Sequence, residues 1–145
     1  MRLYLDTSAL VKIYVDEEGS AGCRRAVAEA DLIATSAIAY VEARAAFTRR
    51  RHEGGLPPKS HRRIIADLDE DWSNYAIVGV TEAVIREGAR LAERHRLRAY
   101  DAVHLASATV LRDGERAEPM VFASWDAVLG RAARREGLSL LPAVL

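Results

Sequence analysis

Cys23 is the only cysteine among 145 residues. An internal disulfide is therefore impossible, and a zinc site built on several thiolates is excluded with it. A reducing compartment is the simplest expectation. Net charge is also missing, because 21 Lys and Arg balance 21 Asp and Glu. That balance argues against a chain that coats nucleic acid over its whole surface, while leaving room for a local basic face. No apolar run approaches the ~20 residues that a membrane-spanning helix needs. The first strand-like run starts directly after Met1, which predicts no signal peptide. A cytoplasmic protein without membrane association is the expectation. Repeats, low-complexity stretches and linkers are absent too, so residues 1–145 are expected to form a single domain. Hydrophobic residues make up 50% of the chain, enough for a sizeable core.

What is present is an alternation of short apolar runs with longer segments of helical period. "RLYL" reads as a strand and "SALVKIYV" as the helix behind it, with Leu10, Val11, Tyr14 and Val15 on one side. Gly19 and Ser20 interrupt, and "AGCRRAVAEA" resumes a helix. "DLIAT" is a second strand, followed by a long amphipathic helix whose apolar stripe is read as Ile38, Val41, Ala45 and Phe47 and which ends at Gly54-Gly55. Pro57-Pro58 opens a helix to about Trp72, proline being tolerated in a first turn. "YAIVGV" is the third strand. Helices from Thr81 to about His95 and from about Tyr100 to Arg112 follow, then the strand "MVFAS", the helix "DAVLGRAARRE" and a closing strand "LSLLP". This order predicts an α/β fold, a three-layer α/β/α sandwich around a mostly parallel sheet of four or five strands.

In such sheets ligands bind outside the carboxyl ends of the strands, so acids placed there are the candidates for chemistry. Asp6 ends the first strand, and Asp126 follows the fourth. Asp101 opens "YDAVHLASA", and Glu42 lies on the long helix beside its apolar stripe by the i, i+3, i+4 rule. Each aspartate alone is better explained as a helix cap. Glu42 alone is explained by an arginine partner such as Arg44 or Arg49. Four acids at one sheet edge would repel one another and raise each other's pKa unless a cation neutralised them. An all-oxygen set favours a hard ion such as Mg²⁺ or Mn²⁺, which could clamp a phosphate oxygen and activate water.

"LYLDTSALVKIYVDEEGS", "TSAIAYVEARAAF", "RAYDAVHLASA" and "VFASWDAVLGRAARREGL" resemble, in this order, the motifs of PIN-domain ribonucleases, and most closely the VapC toxins of VapBC toxin–antitoxin pairs. The resemblance runs from Leu3 to about Leu141. It implies that Asp6, Glu42, Asp101 and Asp126 are the catalytic acids. Asp6, Glu42 and Asp101 would hold a metal, with Asp126 serving a second ion or orienting water. Ser8 and Ser124 match supporting hydroxyl positions. The family implies a Mg²⁺- or Mn²⁺-dependent endoribonuclease leaving 5′-phosphate and 3′-hydroxyl ends. It further implies tRNA or rRNA as the RNA class, a homodimer and a VapB-type antitoxin. Trp125 departs from the family pattern, where Phe or a small polar residue is more usual. The alternatives are a PIN-like RNA-binding or assembly module without catalysis, and a solitary nuclease without antitoxin. A phospho-aspartate scheme ranks low, because Ser8 stands where a second acid would be required.

Other residues admit two readings. Arg49-Arg50-Arg51-His52 and "ERHRLR" suit solvated helix ends or RNA phosphate steering. Thr7 and Ser8 are expected to cap the first helix and to hydrogen-bond the acids. Lys12 reads as a surface lysine, His104 as a packed or hydrogen-bonded histidine, Trp125 as a candidate stacking surface, and Trp72 and Tyr75 as core. Cys23 reads as a small buried residue despite the arginines nearby.

Overall fold

The computed structural model describes residues 1–114 and 118–143. Along the chain run β1 (Arg2–Leu5), α1 (Thr7–Tyr14), α2 (Ser20–Glu29), β2 (Leu32–Ser36), α3 (Ile38–His52), α4 (Pro58–Trp72), β3 (Ala76–Val78), α5 (Glu82–His95), α6 (Ala99–Gly114), β4 (Met120–Ala123), α7 (Ala127–Arg135) and β5 (Ser139–Leu141). The five strands pair in the order β3-β2-β1-β4-β5, and every pairing is parallel. The expected α/β/α sandwich is thus observed.

Alternation along the strands sorts the two faces. Leu3 and Leu5 of β1 pack with Ala123 against α1, α2, α3 and α4. Tyr4, one residue out of phase, packs with Phe122 against α5, α6 and α7. β1 is central and buried throughout, as a parallel strand covered on both faces should be.

Local sequence explains the element starts. Pro58 occupies the first turn of α4, and the Thr81 hydroxyl accepts from Val84 N to cap α5. Two expectations change. Asp6, not Thr7 or Ser8, caps α1 by accepting from Ala9 N. On α3 the buried stripe is Ala39, Ala43 and Phe47, whereas Val41 and Ala45 face solvent. The small alanines let α3 lie close against its neighbours, a signal that side-chain size hides from a hydrophobicity pattern.

Candidate active site

Two of the candidate acids follow strands that are neighbours in the sheet. Leu5 is in register with Ala123, so Asp6 and Ser124 leave the sheet side by side, and Asp6 N donates to Ala123 O at 3.1 Å. The chain runs outward from β1 through β2 to β3 on one side and through β4 to β5 on the other. The β1/β4 boundary is therefore the switch point of the sheet, where a crevice opens.

Asp6 is buried and well supplied with donors. Ser8 Oγ donates to its Oδ1 at 2.7 Å and Ala9 N at 2.9 Å, and Ser124 also hydrogen-bonds it. Burial nonetheless pushes its carboxyl above the usual value, against the opposing influence of His104 and these donors. Ser8 Oγ in turn accepts from Trp125 N at 2.9 Å, and Ser124 Oγ from Asp126 N at 3.1 Å. The two serines thus tie the ends of β1 and β4 together. Asp126 accepts from Leu129 N and caps α7, so capping and site membership coexist in one residue.

Asp101 lies in the first turn of α6. Burial raises its pKa, and the negative charge of Asp126 raises it further, while Arg98 and His104 oppose the shift. The exposed Arg98 reaches Asp101 at 3.4 Å and Asp126 at 4.0 Å. The two aspartates are close enough to repel and share one solvent-facing cation.

Neither Arg44 nor Arg49, the arginines that would explain Glu42 without chemistry, pairs with it; Arg44 donates instead to Tyr40 Oη at 2.9 Å. Its Oε1 accepts from Thr7 Oγ1 at 2.7 Å and meets His104 Nε2 at 2.7 Å. Burial pushes the Glu42 carboxyl up, but these two bonds outweigh it and hold it below its usual value. His104 is buried, as expected, and its Nδ1 lies 3.0 Å from Tyr4 Oη. Among the described residues, no three Asp, Glu, His or Cys side chains converge into a ready metal cage.

Two clefts open beside these groups. One, of about 670 Å³, is lined by Thr7, Ser8, Glu17, Arg49 and Arg50 among others. The second, of about 560 Å³, is lined by Glu42, Arg49, Arg98, Ala99, Tyr100 and Asp101. Arg49 belongs to both, so basic groups flank the acidic edge. Lys12 is not a surface lysine: it is buried, bonded to Glu17 and the Glu18 carbonyl, and lies 5.1 Å from the centre of the Trp125 ring. Glu17 also pairs with Arg50. Trp125, offered by its position as a stacking surface, is instead packed against Gly19 and Lys12. Trp72 and Tyr75 pack against the core as expected. Burial pushes the Cys23 thiol up to about 11, so the neighbouring arginines do not make it reactive.

What the sequence did not reveal is the partnership of Thr7 and His104 with Glu42. The one available signal was the i+3 spacing of His104 from Asp101, which puts both on one side of α6.

Comparison with known proteins follows the same lines. The PIN-domain family model matches residues 3–118. Ribonuclease VapC45 and ribonuclease VapC49 from two strains of Mycobacterium tuberculosis are each 33% identical over 147 residues, covering 99% of this chain and 96% of theirs. Among solved structures, FitAcB from Neisseria gonorrhoeae superposes with a TM-score of 0.68 at 18% identity, over 95% of both chains. VapBC2 from Rickettsia felis, bound to a DNA fragment from its promoter, superposes with a TM-score of 0.65 at 14% identity, over 97% of both chains. At such identities the structural likeness speaks for the fold alone, and the sequence matches carry the assignment: the chain belongs to the PIN-domain family and, within it, to the VapC group.

Proposed function

We propose that the protein is a metal-dependent endoribonuclease, working as one PIN domain over residues 1–145 and acting as the toxin of a type II toxin–antitoxin pair. The observation that carries this reading is the arrangement at the strand ends. Asp6 and Asp101 are both driven toward protonation there by burial, and Asp101 also by Asp126. A cation removes that penalty.

The donors suit a hard ion. Asp6 and Asp101 would hold Mg²⁺ or Mn²⁺, with Glu42 and Asp126 as the additional carboxylates. Mg²⁺ keeps several waters and needs only one or two protein carboxylates, so a closed cage is not required. When bound, the ion would polarise a phosphate oxygen and acidify water for in-line attack.

The chain's own groups supply the rest. Ser8 and Ser124 hold the Asp6 carboxylate from one side, and Thr7 and His104 hold Glu42. Arg49 and Arg98 line the clefts on the way to the acids and draw phosphates toward an otherwise repulsive edge. RNA of the transfer or ribosomal class is the substrate we infer. The partner is a VapB-type antitoxin, and the toxin acts as a homodimer in the cytoplasm. The VapBC naming of the relatives supports both parts of the pairing.

A pool of structured RNAs incubated with purified wild type and Asp6→Asn, each in Mg²⁺, Mn²⁺ or EDTA, tests the reading. Cleavage by wild type alone, abolished by EDTA and leaving 5′-phosphate ends, is expected. Equal cleavage by both proteins, or cleavage that persists in EDTA, contradicts it.

A further inference from the structure

We infer that His104 is a positioning residue of the nuclease centre: its Nε2–H holds Glu42 from across the sheet edge, and Tyr4 braces the ring from its other side. The inference rests on Glu42 belonging to the centre proposed above.

The geometry puts a hydrogen on His104 Nε2. Thr7 Oγ1 has a single hydrogen and donates it to Glu42 Oε1 at 2.7 Å. At its 3.0 Å contact with His104 Nε2, Thr7 must therefore accept. Glu42 Oε1, 2.7 Å from the same nitrogen, is a carboxylate oxygen that accepts at neutral pH. Nε2 therefore carries hydrogen and serves both oxygens. On the other side of the ring, Tyr4 Oη lies 3.0 Å from Nδ1 and can donate to it or accept from it.

The support is rigid. Tyr4 stacks on Phe122 with centroids 5.3 Å apart and planes 4° from parallel, and meets the His104 ring edge-on at 6.1 Å. His104 is only 2% exposed, so its ring cannot turn into solvent. The bond also has a structural reach that the other acids lack. The buried side of α3, which carries Glu42, packs on one face of the sheet, and α6, which carries His104, packs on the other. The Glu42–His104 bond clasps the two helical layers over the strand ends. Thr7 at the start of α1 is the third member of that clasp. All of these bonds fall on Oε1, so Oε2 takes none of them. Outer donors of this kind commonly set the orientation of a ligand carboxylate, and their loss costs about 10- to 100-fold in affinity or activity.

Two measurements test this, and the first needs no activity. Long-range ¹H–¹⁵N correlation on the metal-free protein at pH 7.5 should show His104 carrying hydrogen at Nε2. A ring bare at Nε2 overturns the inference. The second compares His104→Gln, His104→Asn and His104→Leu with wild type and Asp6→Asn on cleaved RNA. A glutamine amide nitrogen can stand where Nε2 does, whereas that of asparagine reaches only the Nδ1 position. Glutamine should therefore rescue kcat to within a few-fold, while Asn and Leu lose about 10- to 100-fold with KM unchanged. Equal loss in the Gln and Asn variants, or a wild-type rate in the Leu variant, overturns it. Should a His104 variant fail to fold, Tyr4→Phe removes only the hydroxyl beside Nδ1. The His104 ¹⁵N shifts should then move, and unchanged shifts overturn the role given to Tyr4. If wild type cuts no RNA, the nuclease reading falls while the tautomer measurement still decides the role of His104.

Discussion

Asp6 does two jobs whose energetics oppose each other. Its Oδ1 accepts from Ala9 N and caps α1, which favours the fold, while burial raises its carboxyl above the usual 3.8, which penalises the charge. Between the unfolded and the raised folded value, the folded chain binds more protons than the unfolded one. Stability from this group is full below the unfolded value and lost as pH rises through the folded one. At neutral pH without metal, Asp6 is therefore a destabilising charge. Asp6→Asn keeps the cap and removes the charge, so in EDTA at pH 7 it should melt at or above wild type, with the advantage shrinking as pH falls toward 4. Asp6→Ala loses the cap and should cost about 1 kcal/mol relative to Asn. Thermal melts of the three proteins across that pH range decide it, and an Asn variant less stable than the Ala variant contradicts the account. The place of Asp6 was legible in the sequence because it needs only a strand end and a residue type. The contact of His104 with Glu42 was not, because it depends on where α3 meets α6.

At the scale of elements, strands and helix starts were readable where chemistry marks them: Thr81 before α5, Pro58 in α4, Gly19 before α2. The face of α3 was not, because two of its three buried positions are alanines, which score little in any apolar pattern yet permit close packing. Gly19 shows how an element boundary bears on the site. Its φ is +88°, and a Cβ there would lie 2.5 Å from Trp125 Nε1 and 2.7 Å from Cε2. A side chain would thus be strained in the backbone and would displace the indole, which lies against Lys12, on a residue whose backbone N–H donates to Ser8 Oγ. Gly19→Ala should destabilise by about 1–3 kcal/mol, read as a lower urea midpoint at unchanged slope. Gly22→Ala, with open space around its Cβ, is the control expected to stay near wild type. A Gly19→Ala protein as stable as that control would show that the Trp125 contact does not constrain this turn.

For the whole molecule, the balanced charge of the sequence conceals a segregated surface. Acids gather where β1 and β4 leave the sheet, and Arg49, Arg50 and Arg98 border the adjoining clefts. Alternating strands and helices made the parallel sandwich predictable. The strand order was not, because the sequence does not say on which side of β1 the later strands are added. That order creates the switch point and brings Ser124 and Asp126 beside Asp6. The central claim is that this edge binds a divalent cation through Asp6. Titration of metal-free wild type and Asp6→Asn with Mn²⁺, followed by calorimetry, tests it most directly. Saturable binding by wild type, weakened at least about 10-fold in the Asn variant, is predicted. Equal affinity in the two proteins, or no binding by wild type, would contradict it.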